Sequence, residues 1–163
     1  LDGVLAKAPR DGMALAARFQ LETQRGDEAA RLDTARALAD ARAGDRQTLI
    51  EIAKVLADAN DPARAAVCYE LVLDQTPQPQ AGLLGQLGYE RFRAGDLEGA
   101  QLAFSAASKL RPAEPRPMYF LGVIARKRGD DATARLYFTR ALALDPGFQR
   151  AAVALRELDA AHP

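Results

Sequence analysis

Side chains able to carry covalent or metal chemistry are sparse in this sequence, which holds one histidine, His162, and one cysteine, Cys68. A serine or cysteine nucleophile would need His162 as its base, and that residue stands beside the C-terminus, where a backbone is prone to fray. Ser105 and Ser108 fall at helical positions. Cys68 has no second cysteine to pair with, and beside Val67, Tyr69 and Val72 it reads as a small buried hydrophobe. One His and one Cys cannot supply zinc spacing, and no glycine-rich phosphate loop with lysine and Ser/Thr occurs. We therefore expect no catalytic residue, no cofactor and no metal in this chain. The remaining chemistry is non-covalent. Gly82, Gly85, Tyr89, Phe92 and Arg93 follow the spacing i, i+3, i+7, i+10, i+11, as do Arg116, Tyr119, Val123, Arg126 and Lys127. Rings and guanidinium groups in one stripe can hold apolar side chains and carboxylates.

The elements that must carry these stripes are helices. Alanine and leucine dominate the apolar residues, which favours helix over strand. Two stretches superimpose without a gap at an offset of 34 residues: Leu87, Gly88, Gly95, Asp96, Ala100, Phe104, Ala107 and Pro112 fall opposite Leu121, Gly122, Gly129, Asp130, Ala134, Phe138, Ala141 and Pro146. An earlier stretch keeps the grammar with Ile52-Ala53, Asn60-Asp61, Ala65, Tyr69, Val72 and Pro77. Before it, residues 11–44 are degenerate, with Arg18-Phe19 where Leu-Gly is expected and a turn at Gly26-Asp27. Met118, Leu121, Gly122 and Ala125 mark one apolar helix face, and Ala134, Phe138, Ala141 and Leu142 mark its partner. Small residues let the two helices approach while the phenylalanine fills the space between them. Gly129-Asp130 ends one helix and caps the next, and Pro146 stops the second. The pattern predicts helix pairs near 12–43, 46–77, 81–112 and 115–146. A capping helix follows over 149–161, with Val153, Leu155 and Leu158 on its apolar side.

This grammar resembles the tetratricopeptide repeat family, with a bulky residue, Leu-Gly, an aromatic, then Ala, Phe and Pro at fixed spacing. Departures fall at the first bulky slot, held by Leu49, Leu84 and Met118, and at the first-helix aromatic slot, held by Leu56, Arg91 and Ala125. The resemblance implies an all-α, right-handed superhelical solenoid of antiparallel helix pairs. One domain over 1–163 is expected, with the end of a preceding helix at 1–10 and repeats at about 12–44, 46–79, 81–114 and 115–148. The resemblance also implies that the second stripe of each first helix lines a concave groove. That assigns partner binding to Lys54, Tyr89, Phe92, Arg93, Arg116, Tyr119, Val123, Arg126 and Lys127. The lysine and asparagine clamp with which some members of the family hold a C-terminal carboxylate is missing, because its slots hold Ile50 and Lys54, Gly85 and Tyr89, Tyr119 and Val123.

Lysine plus arginine equals aspartate plus glutamate at 22 each, so no global field draws in nucleic acid. No run approaches the roughly 18–20 apolar residues of a membrane helix. The reading expected from the sequence is a scaffold or adaptor that binds a partner protein or peptide, an acidic one by the basic stripe, with self-association as a further option. Two alternatives stand beside it: the substrate-recognition domain of a larger enzyme of the glycosyltransferase or hydroxylase type, or a periplasmic assembly factor of the cytochrome c maturation or secretion type. The opening Leu1-Asp2 reads as mid-helix, as in a piece of a longer chain. Cytoplasm and periplasm both stay open, and the Ala and Arg richness points to a GC-rich bacterial genome.

Overall fold

A computed structural model describes residues 11–161, and every regular element among them is an α-helix. The helix end expected over 1–10 and His162 lie outside the described residues. The helices are α1 (Gly12–Arg25), α2 (Glu28–Ala41), α3 (Arg46–Asp58), α4 (Pro62–Asp74), α5 (Ala81–Arg93), α6 (Leu97–Leu110), α7 (Pro115–Lys127), α8 (Asp131–Leu144) and α9 (Gln149–Ala161). Contacts group them into two units, α1–α4 before residue 80 and α5–α9 from residue 80 onward. In each unit consecutive helices pack as antiparallel pairs.

The hairpin turns explain where the helices stop. Gly26, Asn60, Gly95 and Gly129 hold φ of +69°, +59°, +86° and +79°, a left-handed conformation that glycine and asparagine accept most readily. An aspartate follows each of them. Asp27, Asp61, Asp96 and Asp130 accept hydrogen bonds from the backbone N–H of Ala30, Arg64, Gly99 and Thr133, satisfying one of the free donors at each helix start. Hydrogen bonds from the Thr133 side chain and backbone hold the Asp130 carboxyl below its ordinary value.

Within the second unit the pairs close on glycine. A Cβ at Gly122 would lie 2.6 Å from the Phe138 ring, and one at Gly88 would lie 3.1 Å from the Phe104 ring. Both phenylalanines are buried. In the first unit the equivalent slots hold Ala53 and Tyr69, again buried. The degenerate repeat reverses the sizes. Phe19 stands at the glycine slot and Ala35 at the phenylalanine slot, and both are shut off from solvent. The bulk that one helix lacks its partner provides, so the register survives the loss of Leu-Gly.

Two arginines at packing slots find their own solutions, and one expectation, that for Val153, changes. Arg91, at a packing slot, is half-buried, and its guanidinium donates to the Gly99 carbonyl at 3.3 Å and lies 3.7 Å from Asp96, bracing its own turn. In α9 the buried face is Ala151, Ala154 and Leu158, while Val153 is 43% exposed, because the helix turns that residue toward the groove described below. Arg156 occupies the slot that Gly122 holds one repeat earlier and is exposed, as suits an outer, solvated face.

Cys68 is buried in the first unit, and desolvation pushes its thiol from 9.0 up to about 12. A raised thiol stays protonated through neutral pH, so its contribution to stability is intact below the unfolded value and is lost as pH rises beyond it. The folded chain should therefore react with a disulfide reagent at pH 8 at least tenfold more slowly than the urea-unfolded chain. Equal rates would place Cys68 at the surface.

Candidate functional site

The residues that repeat packing leaves over converge on the first-helix face of the second unit. Their centre is Phe120 on α7, which is only 5% exposed. Its ring stacks on Phe104 with centroids 4.8 Å apart and planes 4° from parallel. Three stripe residues surround it: Tyr89 edge-on at 5.5 Å, Phe92 at 5.9 Å and Tyr119 edge-on at 5.2 Å. Tyr119 continues the chain of rings to Phe148 at 5.5 Å and Phe138 at 5.8 Å. The stripe reading passed over Phe120. Its repeat equivalents are Glu51 and Gln86, both polar, so the pattern gives that position no packing role.

The aromatic ridge separates two hollows on this face. One, of about 180 Å³, lies between α5 and α7, with Gly82, Gly85 and Tyr89 on one side, Arg116 and Pro117 on the other and Phe104 and Phe120 as its floor. The other, wider and about 410 Å³, lies beside α9 and is lined by Tyr119, Val123, Arg126, Phe138, Val153 and Glu157 among others. Phe92, Arg93 and Lys127 border neither hollow. Lys54 is exposed on α3 of the first unit.

Gly82 and Gly85 differ from the packing glycines. A Cβ on either would meet nothing within 4 Å. Glycine inside a helix is about 1 kcal/mol less favourable than alanine. At Gly88 and Gly122 the ring contact offsets that cost; at Gly85 nothing in the fold does, while Gly82 stands in the first turn of α5, outside the helix interior.

The basic stripe is less free than its composition implies. Arg93 pairs at 2.9 Å with Glu90, which is buried on the same helix, and its guanidinium also lies 5.8 Å from the Tyr89 ring. Arg126 pairs with Glu157 at 2.7 Å and so ties α7 to α9. The Lys127 ammonium lies 5.5 Å from the Phe92 ring centre. Arg116 is exposed and makes no ion pair among the described residues. The sequence alone had no means of telling these four cations apart, since the choice depends on which acid each one reaches.

No group of His, Cys, Asp and Glu among the described residues could hold a metal ion, and no described helix is long and apolar enough to cross a membrane. In the second unit, helix hairpins 34 residues apart, closed by Gly–Phe contacts and capped by aspartate, follow the pattern of tetratricopeptide repeats. The tetratricopeptide repeat family model matches residues 86–147, from within α5 to just past α8. Cellulose synthase operon protein C of Komagataeibacter xylinus is 36% identical over 70 residues, which are 43% of this chain and 5% of that protein. A TPR repeat-containing protein of Pseudomonas aeruginosa is 39% identical over 84 residues, 52% of this chain and 34% of that protein. The chain thus spans a minor part of the length of these curated relatives. Among solved structures, YrrB, described as a TPR protein with an unusual peptide-binding site, is similar with a TM-score of 0.70 at 16% identity, covering 95% of this chain and 79% of that one. That likeness concerns the fold.

Proposed function

We propose that the chain is a protein-interaction module that binds a partner polypeptide along the first-helix face of its second unit. The observation that carries this reading is the aromatic ridge, Tyr89–Phe120–Tyr119, flanked by two hollows that the repeat fold does not need. Large rings are favoured anchors at interfaces, because they bury much area with few rotatable bonds. The ridge and its hollows suit an extended segment crossing α5 and α7, with side chains dropping to either side. The peptide-binding site in the description of YrrB supports the same use of the fold.

The test begins with a random peptide library displayed on phage and panned against the full chain. Tyr89→Ala and Arg116→Glu are the informative variants, because Tyr89 is 37% exposed and Arg116 makes no ion pair among the described residues. Tyr119→Ala and Arg126→Glu disturb packing and the α7–α9 ion pair as well as any binding. Each of the two informative variants should weaken selected peptides by about fivefold or more, the loss expected when a contact contributes ~1 kcal/mol. The thermal midpoint should stay within about 2 °C. The reading fails if no peptide is enriched, or if the enriched peptides bind both variants as they bind the parent chain.

A further inference from the structure

We infer that the hollow between α5 and α7 is a selectivity pocket for one aromatic side chain of the partner, followed closely in its sequence by a carboxylate. This deepens the polypeptide-binding reading and rests on it. The floor of the hollow is the stacked pair Phe104 and Phe120, with Tyr89 standing edge-on against Phe120. A third ring entering from solvent continues that alternation of stacked and edge-on contacts, which quadrupoles favour and which an aliphatic side chain cannot reproduce. A volume of about 180 Å³ admits a phenylalanine or tyrosine ring. The wall on the same side as Tyr89 is made by Gly82 and Gly85, whose missing side chains serve no contact of the fold and leave the entrance clear. Space kept open against helix propensity, over an aromatic floor, is a receptor for a guest side chain.

The charge on the rim selects the residue beside that ring. Arg116 is exposed at the mouth, and among the described residues it has no acid to satisfy it. Glu114, also on the rim, lies 3.8 Å from Arg111 and is partly neutralised by it. The Arg116 guanidinium therefore sets the preference, and it can donate two parallel hydrogen bonds to a carboxylate. The ligand class is an exposed aromatic–acidic dipeptide within an otherwise tolerant segment.

The experiment titrates the ¹⁵N-labelled full chain with the capped peptide Gly-Ser-Phe-Asp-Ser-Gly and with two relatives carrying Ala for Phe or Asn for Asp. The Phe-Asp peptide should shift the amides of Gly82, Gly85, Tyr89 and Arg116. The Ala-Asp peptide should need at least tenfold more concentration, and the Phe-Asn peptide about threefold more. Gly85→Leu, which fills the entrance, should abolish the shifts while the thermal midpoint rises or holds, and Gly82→Leu repeats the test at a second wall position. Shifts that persist in either filled variant, or that ignore the Phe→Ala change, overturn the pocket. So do amide changes that depend on protein concentration without peptide, since they would make a second copy of the chain the occupant. Library peptides that bind the chain yet tolerate Gly85→Leu would sink this inference and leave the interaction module standing, whereas a library with no binders sinks both.

Discussion

Replacing Phe138 with alanine lowers the unfolding free energy by about 3–5 kcal/mol, the cost of deleting a phenylalanine from a site that cannot collapse. Phe138 is fully buried, and its ring lies where a Cβ on Gly122 would come within 2.6 Å. The facing residue is therefore already as small as a residue can be. Nothing on that side can move in to fill the void, and Tyr119, with its centroid 5.8 Å away, loses its ring contact at the same time. Urea unfolding followed by circular dichroism is the measurement. A change under about 0.5 kcal/mol would mean that the α7–α8 pair packs in another register.

The second large effect concerns the reversed pair in the first unit. Phe19→Gly should cost about 3–5 kcal/mol or slightly more, since it removes a buried ring and places glycine inside a helix. Ala35→Phe alone should also destabilise, by about 1–3 kcal/mol, because a second ring is forced into filled space. Made together, the two changes restore the glycine–phenylalanine order of the later repeats. The double variant should then be more stable than the sum of the single effects predicts, by ~1 kcal/mol or more. Strict additivity would show that the two slots do not share one space.

These pairs also explain what could be read from the sequence. Turns were legible because Gly129-Asp130 and its equivalents combine two local requirements, a positive φ and a cap, that depend on no distant residue. Helix limits followed from them. The stripe on α5 and α7 was legible in outline, because helical spacing fixes which residues share a face. Phe19 was harder, since its slot makes sense only alongside the small Ala35 at the paired slot. Phe120 was harder still. Its ring leaves the repeat pattern to meet Phe104 on another helix, and a position held elsewhere by Glu51 and Gln86 carries no periodic signal of that contact. The pairing of Arg126 with Glu157, 31 residues later, likewise depends on how α9 is seated.

The central claim is that the face formed by α5 and α7 receives a partner polypeptide, and amide shift mapping on the full chain with the tightest library-selected peptide tests it most directly. The largest perturbations should cluster on Gly82, Gly85, Tyr89, Arg116 and Tyr119, around the aromatic ridge. The opposite result is equally definite. Leu102 on α6 and Leu136 on α8 are 65% and 66% exposed at equivalent repeat positions, and perturbations centred on them, with the α5 and α7 amides unmoved, would place binding on the second-helix face and contradict the account.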